Sequence, residues 1–266
     1  MPETLSIERQ GSITVVFLEG KTMPLRLFHE LGEAFAAIAD DDAARAVILR
    51  SRHPNFTYGL DLKGAMADLG PAFAGGLAGP RMALKRTIER LQAGINAVAA
   101  CPVPVIAAVS GYCIGGGVDL ITACDLRLAS ADAQFSVRET RIAIVADLGT
   151  LQRLPKIVGP GHARELAFTG KDIDAARAAA IGLVNHVYAD ADALHAAALA
   201  LAQEIADNPP LTVRGVKDVM NFSADREVAE GLAYVAAYNA AFLASEDLGE
   251  AAAAFFARRA PKFRGA

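Results

Sequence analysis

The sequence predicts an α/β fold of strand–turn–helix units in series, closed by a helical C-terminal region. The prediction rests on apolar, β-rich runs that each give way to helical periodicity, on glycine-rich turns at those junctions, and on an alanine-rich composition from about residue 160 onward. Residues 13–18 (ITVVFL) read as a strand. A helix follows Gly20, with Pro24 near its start and Phe28, Leu31, Phe35 and Ile38 on one face. Residues 46–50 are a second strand, and the loop 53–61 returns towards the sheet through Gly59 into a further helix. Residues 70–80, rich in glycine and proline, read as a mobile cover over a ligand. Leu84, Ile88, Leu91, Ile95 and Val98 keep helical spacing up to Cys101-Pro102, and residues 103–109 run on as strand. Two more strands are expected at 126–130 and 135–139, then a loop over 144–156 and a turn and strand at 182–188. Asn208-Pro209-Pro210 marks a boundary before the last helices, whose apolar residues Val219, Val228, Leu232 and Val235 have little sheet left to cover and are expected to pack across subunits.

A chain of 266 residues, 53% of them apolar, can bury a full core. Its formal charge of -4 offers no broad basic field, so neither nucleic acid nor an anionic membrane is an expected partner. The opening residues lack the basic start and apolar core of a secretory signal, and no apolar run reaches about 18 residues, so a cytoplasmic protein is expected. The cysteines at 101, 113 and 124 lie inside apolar segments and read as reduced, buried thiols. The five histidines fall nowhere near metal-ligand spacing, and no metal site is expected.

The stretch 105–120, VIAAVSGYCIGGGVDL, is the most informative. A strand runs through a turn into Gly115, Gly116 and Gly117, and then into a helix carrying Asp119. Glycines clear side chains from backbone N–H groups, which lets those groups meet an anionic oxygen. Tight turns and close helix packing would ask for the same residues. Ser110 lacks the first glycine of a nucleophile elbow, and the triple glycine lacks the third position of a dinucleotide fingerprint.

Residues 56–63 (FTYGLDLK), 104–120, Cys124-Asp125 and the tail 256–263 together resemble the enoyl-CoA hydratase/isomerase (crotonase) superfamily over nearly the whole chain. The resemblance implies a crotonase-like spiral of ββα units over residues 1–200 with an acyl-CoA site. It also implies a C-terminal helical trimerisation region over 201–266 and a homo-oligomer, either a trimer or a dimer of trimers. Coenzyme A would enter as part of the substrate, with no separate cofactor. The backbone N–H groups of Leu60 and Gly116 would form an oxyanion hole, and Phe56, Tyr58 and Lys63 would lie at the coenzyme A, with Lys262 and Phe263 approaching it from their own or a neighbouring subunit. By default, Phe56 and Phe263 read as core aromatics and Lys63 as a solvated lysine.

Where the hydratases of this family use two glutamates, this chain has Asp119 and Glu139, and it adds Asp147 where they usually have glycine. All three acids occur at this spacing in the 3,5-dienoyl-CoA isomerase branch. That branch implies transfer of a proton from C2 to Asp147 and from Glu139 to C6, with Asp119 orienting the pair, in fatty-acid β-oxidation. Moving two double bonds suits two separate acids, because C2 and C6 are too far apart for one rigid carboxylate. Asp147 could instead cap a helix and Glu139 could pair with Arg138 or Arg141. Asp125 and Arg127 read as a structural pair. The competing functions are hydration by Asp119 and Glu139, and a non-catalytic CoA- or RNA-binding scaffold.

Overall fold

The computed structural model describes residues 4–73 and 78–266. A sheet in the order β1-β2-β3-β4-β6-β9 forms its centre. The strands are β1 (Leu5–Gln10), β2 (Ile13–Leu18), β3 (Ala46–Ser51), β4 (Val105–Val109), β6 (Leu126–Ser130) and β9 (His186–Tyr188), and only the β1–β2 pair is antiparallel. β2 and β4 are buried at every position, as parallel strands covered on both faces must be. A smaller sheet, β5 (Tyr112–Ile114), β7 (Gln134–Ser136) and β8 (Ile173–Asp174), stands beside it.

The main core lies between one face of the central sheet, the small sheet and the helices α1 (Leu25–Ala39), α3 (Ala78–Ala100), α4 (Gly116–Thr122), α5 (Thr150–Val158), α6 (Pro160–Thr169) and α7 (Ala175–Ala180). α1 buries Leu27, Phe28, Leu31, Phe35 and Ile38, the helical stripe expected of it. The other sheet face is covered by α8 (Ala191–Ala206) through Leu194, Ala198 and Ala202. α8 runs unbroken across residue 200, and Asn208-Pro209 separates it from α9 (Pro210–Ser223), α10 (Val228–Phe242) and α11 (Glu246–Ala257). Among the described residues, no helix is long and apolar enough to cross a membrane. Cys101, Cys113 and Cys124 are free and buried, as expected.

Four local expectations are corrected. Residues 70–73 belong to α2 (Leu62–Phe73) and 78–80 to α3, so most of the segment read as a mobile cover is helical; its remainder, 74–77, lies outside the described residues. Gly79-Pro80 reads as a loop signal, yet Pro80 lies in the first helical turn, where its missing N–H costs nothing. The loop expected over 144–156 is helical from Thr150, and Glu139 lies in a 3-10 turn (Glu139–Ile142) rather than in β7. Asp125 does not pair with Arg127. Its carboxylate takes Lys217 Nζ at 2.6 Å and the Val105 N–H at 2.7 Å, while Arg127 donates to the carbonyls of Leu183 and Cys124.

Candidate active site

After β3 the chain crosses to the small sheet, and residues 57–61 become hydrogen-bonded on both flanks. On one side the Thr57 N–H donates to the Tyr112 carbonyl at 2.8 Å and the Ile114 N–H to the Thr57 carbonyl at 3.1 Å. On the other, the Tyr58 N–H reaches the Lys21 carbonyl at 2.8 Å, the Met23 N–H the Gly59 carbonyl at 2.8 Å, and the Asp61 N–H the Met23 carbonyl at 3.0 Å. This register turns the Leu60 N–H away from Met23, and it has no acceptor among the described residues. Gly59 makes the turn with φ +85°, and a β-carbon there would press to 2.7 Å of the Ile114 carbonyl oxygen.

Gly116 begins α4, and its N–H also lacks an acceptor among the described residues. A β-carbon on Gly116 would stand 3.9 Å from the Leu60 nitrogen and 3.3 Å from the Met23 sulfur, so the two free amides lie close together beside Met23. Paired, unsatisfied N–H groups from two segments are what an oxyanion needs.

Glu139 lies against the glycine turn that leads to Gly116, and Asp119 belongs to the helix that Gly116 begins. A β-carbon on Gly115 would lie 3.1 Å from Glu139 Oε1, which fixes that carboxyl against the glycine turn. Glu139 Oε2 is buried with no hydrogen-bond partner. Burial pushes its pKa up to about 7, opposed by its own amide and assisted by the charges of Asp119 and Asp147. The ion-pair reading of Glu139 is overturned, because Arg138 binds Asp172 and Arg141 the Thr169 carbonyl. Asp119 is 1% exposed and its pKa is raised by burial. Its Oδ1 accepts the Thr150 N–H at 2.7 Å.

That bond also decides the role of Asp147. The residue at the N-cap of α5 is Gly149, which has no side chain, and Asp119 supplies the acceptor from α4. Asp147 is therefore not the cap. As a residue it is exposed, yet its carboxyl is enclosed enough for burial to raise its pKa, and its charge raises both Asp119 and Glu139. The three acids thus share one site, with Asp147 at its rim.

The residues expected at the coenzyme A divide. Phe56 is fully buried in the main core, so its side chain is structural and not a ligand contact. Tyr58 is 43% exposed, its ring 5.4 Å from that of Tyr112. Lys63 is exposed in the first turn of α2. Lys262 and Phe263 are not brought to the site of their own chain. The Lys262 N–H donates to Glu250, and the Phe263 carbonyl accepts from Arg45, just before β3, whereas Leu60 lies beyond the far end of that strand. Met23, Gln92, Asn96 and Arg153 border the site without having been singled out. Met23 arrives through its backbone bridge to Leu60, and the packing of α3 and α5 brings the other three.

A spiral of strands that leaves two amides free above buried acids defines a crotonase-type acyl-CoA enzyme fold. The chain belongs to the enoyl-CoA hydratase/isomerase family, whose sequence model matches residues 8–266. It is 47% identical over 241 residues to the mitochondrial Delta(3,5)-Delta(2,4)-dienoyl-CoA isomerase of Dictyostelium discoideum, covering 89% of this chain and 81% of that one. It is 41% identical over 269 residues to the peroxisomal Delta(3,5)-Delta(2,4)-dienoyl-CoA isomerase of Arabidopsis thaliana, covering 98% and 97%. Among solved structures, the enoyl-CoA hydratase of Bacillus anthracis superposes with a TM-score of 0.89 at 29% identity, over 99% of this chain and 100% of that one.

Proposed function

We propose that the protein converts 3,5-dienoyl-CoA to 2,4-dienoyl-CoA, within the β-oxidation of unsaturated acyl chains. The observation that carries the reading is the third acid: Asp147 shares its electrostatic environment with Asp119 and Glu139 beside the free amides of Leu60 and Gly116. Close relatives that bear the isomerase name support it.

The thioester oxygen accepts the two N–H groups. Ionised Asp147 takes a proton from C2, and the electron pair spreads through the thioester carbonyl and both double bonds as a dienolate, its oxygen charge held by the amides. Each such donor contributes about 3 kcal/mol to the barrier reduction. Glu139, whose pKa of about 7 leaves a protonated fraction at neutral pH, gives its proton to C6. The double bonds settle at C2 and C4, and the cycle closes when Asp147 loses its proton and Glu139 regains one. The shift is redox-neutral, so this chemistry calls for no cofactor beyond the coenzyme A of the substrate.

Asp147→Asn should lower turnover of a 3,5-dienoyl-CoA, followed by absorbance of the conjugated product, by at least about 100-fold with the fold intact. A fully active variant removes the base, and strong hydration of crotonyl-CoA by the unaltered protein would favour the hydratase reading. The working assembly is a trimer or a dimer of trimers built through the C-terminal helices, where Val228, Phe255 and Phe256 are 78%, 79% and 83% exposed in a single chain. Light scattering after size exclusion measures it. The cytoplasmic setting expected from the sequence differs from that of the mitochondrial and peroxisomal relatives, and fractionation decides between them.

A further inference from the structure

We propose that Gln92, on α3, is the positioning residue that sets the backbone of Asp147 and so aims its carboxylate at the substrate; this rests on the isomerase reading above. The loop bearing Asp147 has almost no main-chain scaffold. Among the described residues, no backbone N–H from 145 to 149 donates to a backbone acceptor. The hydrogen bond that reaches residue 147 from elsewhere in the protein is Gln92 Nε2 to the Asp147 carbonyl, at 2.7 Å.

The neighbouring contacts continue the same clamp. One helical turn on from Gln92, Asn96 takes Arg153 Nη2, and Arg153 Nη1 reaches back to the Leu148 carbonyl at 3.5 Å. Gly149 leaves the space this needs, since a β-carbon there would stand 1.9 Å from Arg153 Nη1. Asp119 secures the far end of the loop through Thr150. The face of α3 that carries Gln92 and Asn96 is itself fixed in rotation. Between them lies Gly94, so close to α1 that a β-carbon would fall 2.0 Å from the Phe28 carbonyl oxygen, and Ile95 and Val98 are fully buried behind it. A base must lie within hydrogen-bond reach of the proton it takes. A side-chain amide anchored to a rigid helix gives the exposed loop that precision.

The test is Gln92→Met, which keeps side-chain length and helix propensity and removes the donor, set beside Asp147→Asn. On a 3,5-dienoyl-CoA, Gln92→Met should lose about 10-fold to 100-fold in kcat, the cost typical of a misplaced catalytic group. KM should stay within about twofold and the melting temperature should be unchanged. The acid limb of the kcat profile should move to lower pH, because a loosened Asp147 carboxyl escapes the burial that raises its pKa. A kcat and acid limb equal to those of the unaltered protein, with Asp147→Asn inactive, would overturn the positioning role and leave the base standing. An active Asp147→Asn would overturn both.

Discussion

A carboxylic acid proposed to give up a proton at neutral pH has to be held away from water, and Glu139 shows what that costs. Its pKa of about 7 against an ordinary 4.5 means that folding favours the protonated form. Its contribution to stability is therefore present in full below about pH 4.5 and is lost as the pH rises through about 7. Glu139→Gln removes the charge that the site disfavours. Allowing for partial exposure, it should stabilise the protein at pH 8 by about 1 kcal/mol, a rise of roughly 2–4 °C in melting temperature, while kcat falls about 100-fold or more. A calorimetric scan at pH 8 and at pH 4 checks the sign, since the gain should vanish at the lower pH. In the unaltered enzyme, the basic limb of kcat should fall near pH 7. The sequence places this acid but not its environment, because Arg138 and Arg141 beside it suggest a surface pair until the structure turns both towards residues 169–172.

Elements that are continuous apolar runs, β2, β3 and β4, were legible because burial on both faces leaves a parallel strand no other composition. α1 was legible from its single stripe. β1 was not, since an edge strand reading Leu-Ser-Ile-Glu-Arg-Gln exposes most of its residues. α5 was missed because its cap is not local. The acceptor for Thr150 is Asp119, 31 positions away, and no window around Gly149 contains it. Of the candidate site, the amides and acids lay in motifs, whereas Gln92 and Asn96 are ordinary helix residues until α1 and α3 meet at Gly94. The distant cap gives its own prediction. Asp119→Asn keeps an oxygen for the Thr150 N–H and should leave thermal stability within about 0.5 kcal/mol, while Asp119→Ala should cost about 1–2 kcal/mol. Urea denaturation of the two variants separates them.

Across the whole molecule, Lys217 and Arg214 of α9 tie the C-terminal helices to the core. Lys217 of α9 is 7% exposed, and its ammonium lies between Asp125 and the carbonyl of Val103, two residues before β4. Lys217→Ala leaves Asp125 half-enclosed without its cation and should destabilise by about 3 kcal/mol, whereas an apolar side chain of similar length should cost less. Limited proteolysis near residues 208–212 reports whether α9 has come loose. The feature with the widest consequence is the doubly flanked segment 57–61. Because Thr57 is tied to Tyr112 and Ile114, and residues 58–61 to Lys21 and Met23, backbone pairing alone sets where the Leu60 amide stands. On the proposed mechanism, long, short, branched or ring-bearing tails would all meet the same two donors, so tolerance for different acyl groups would drift through the surrounding helices without touching the part of the barrier assigned to those donors.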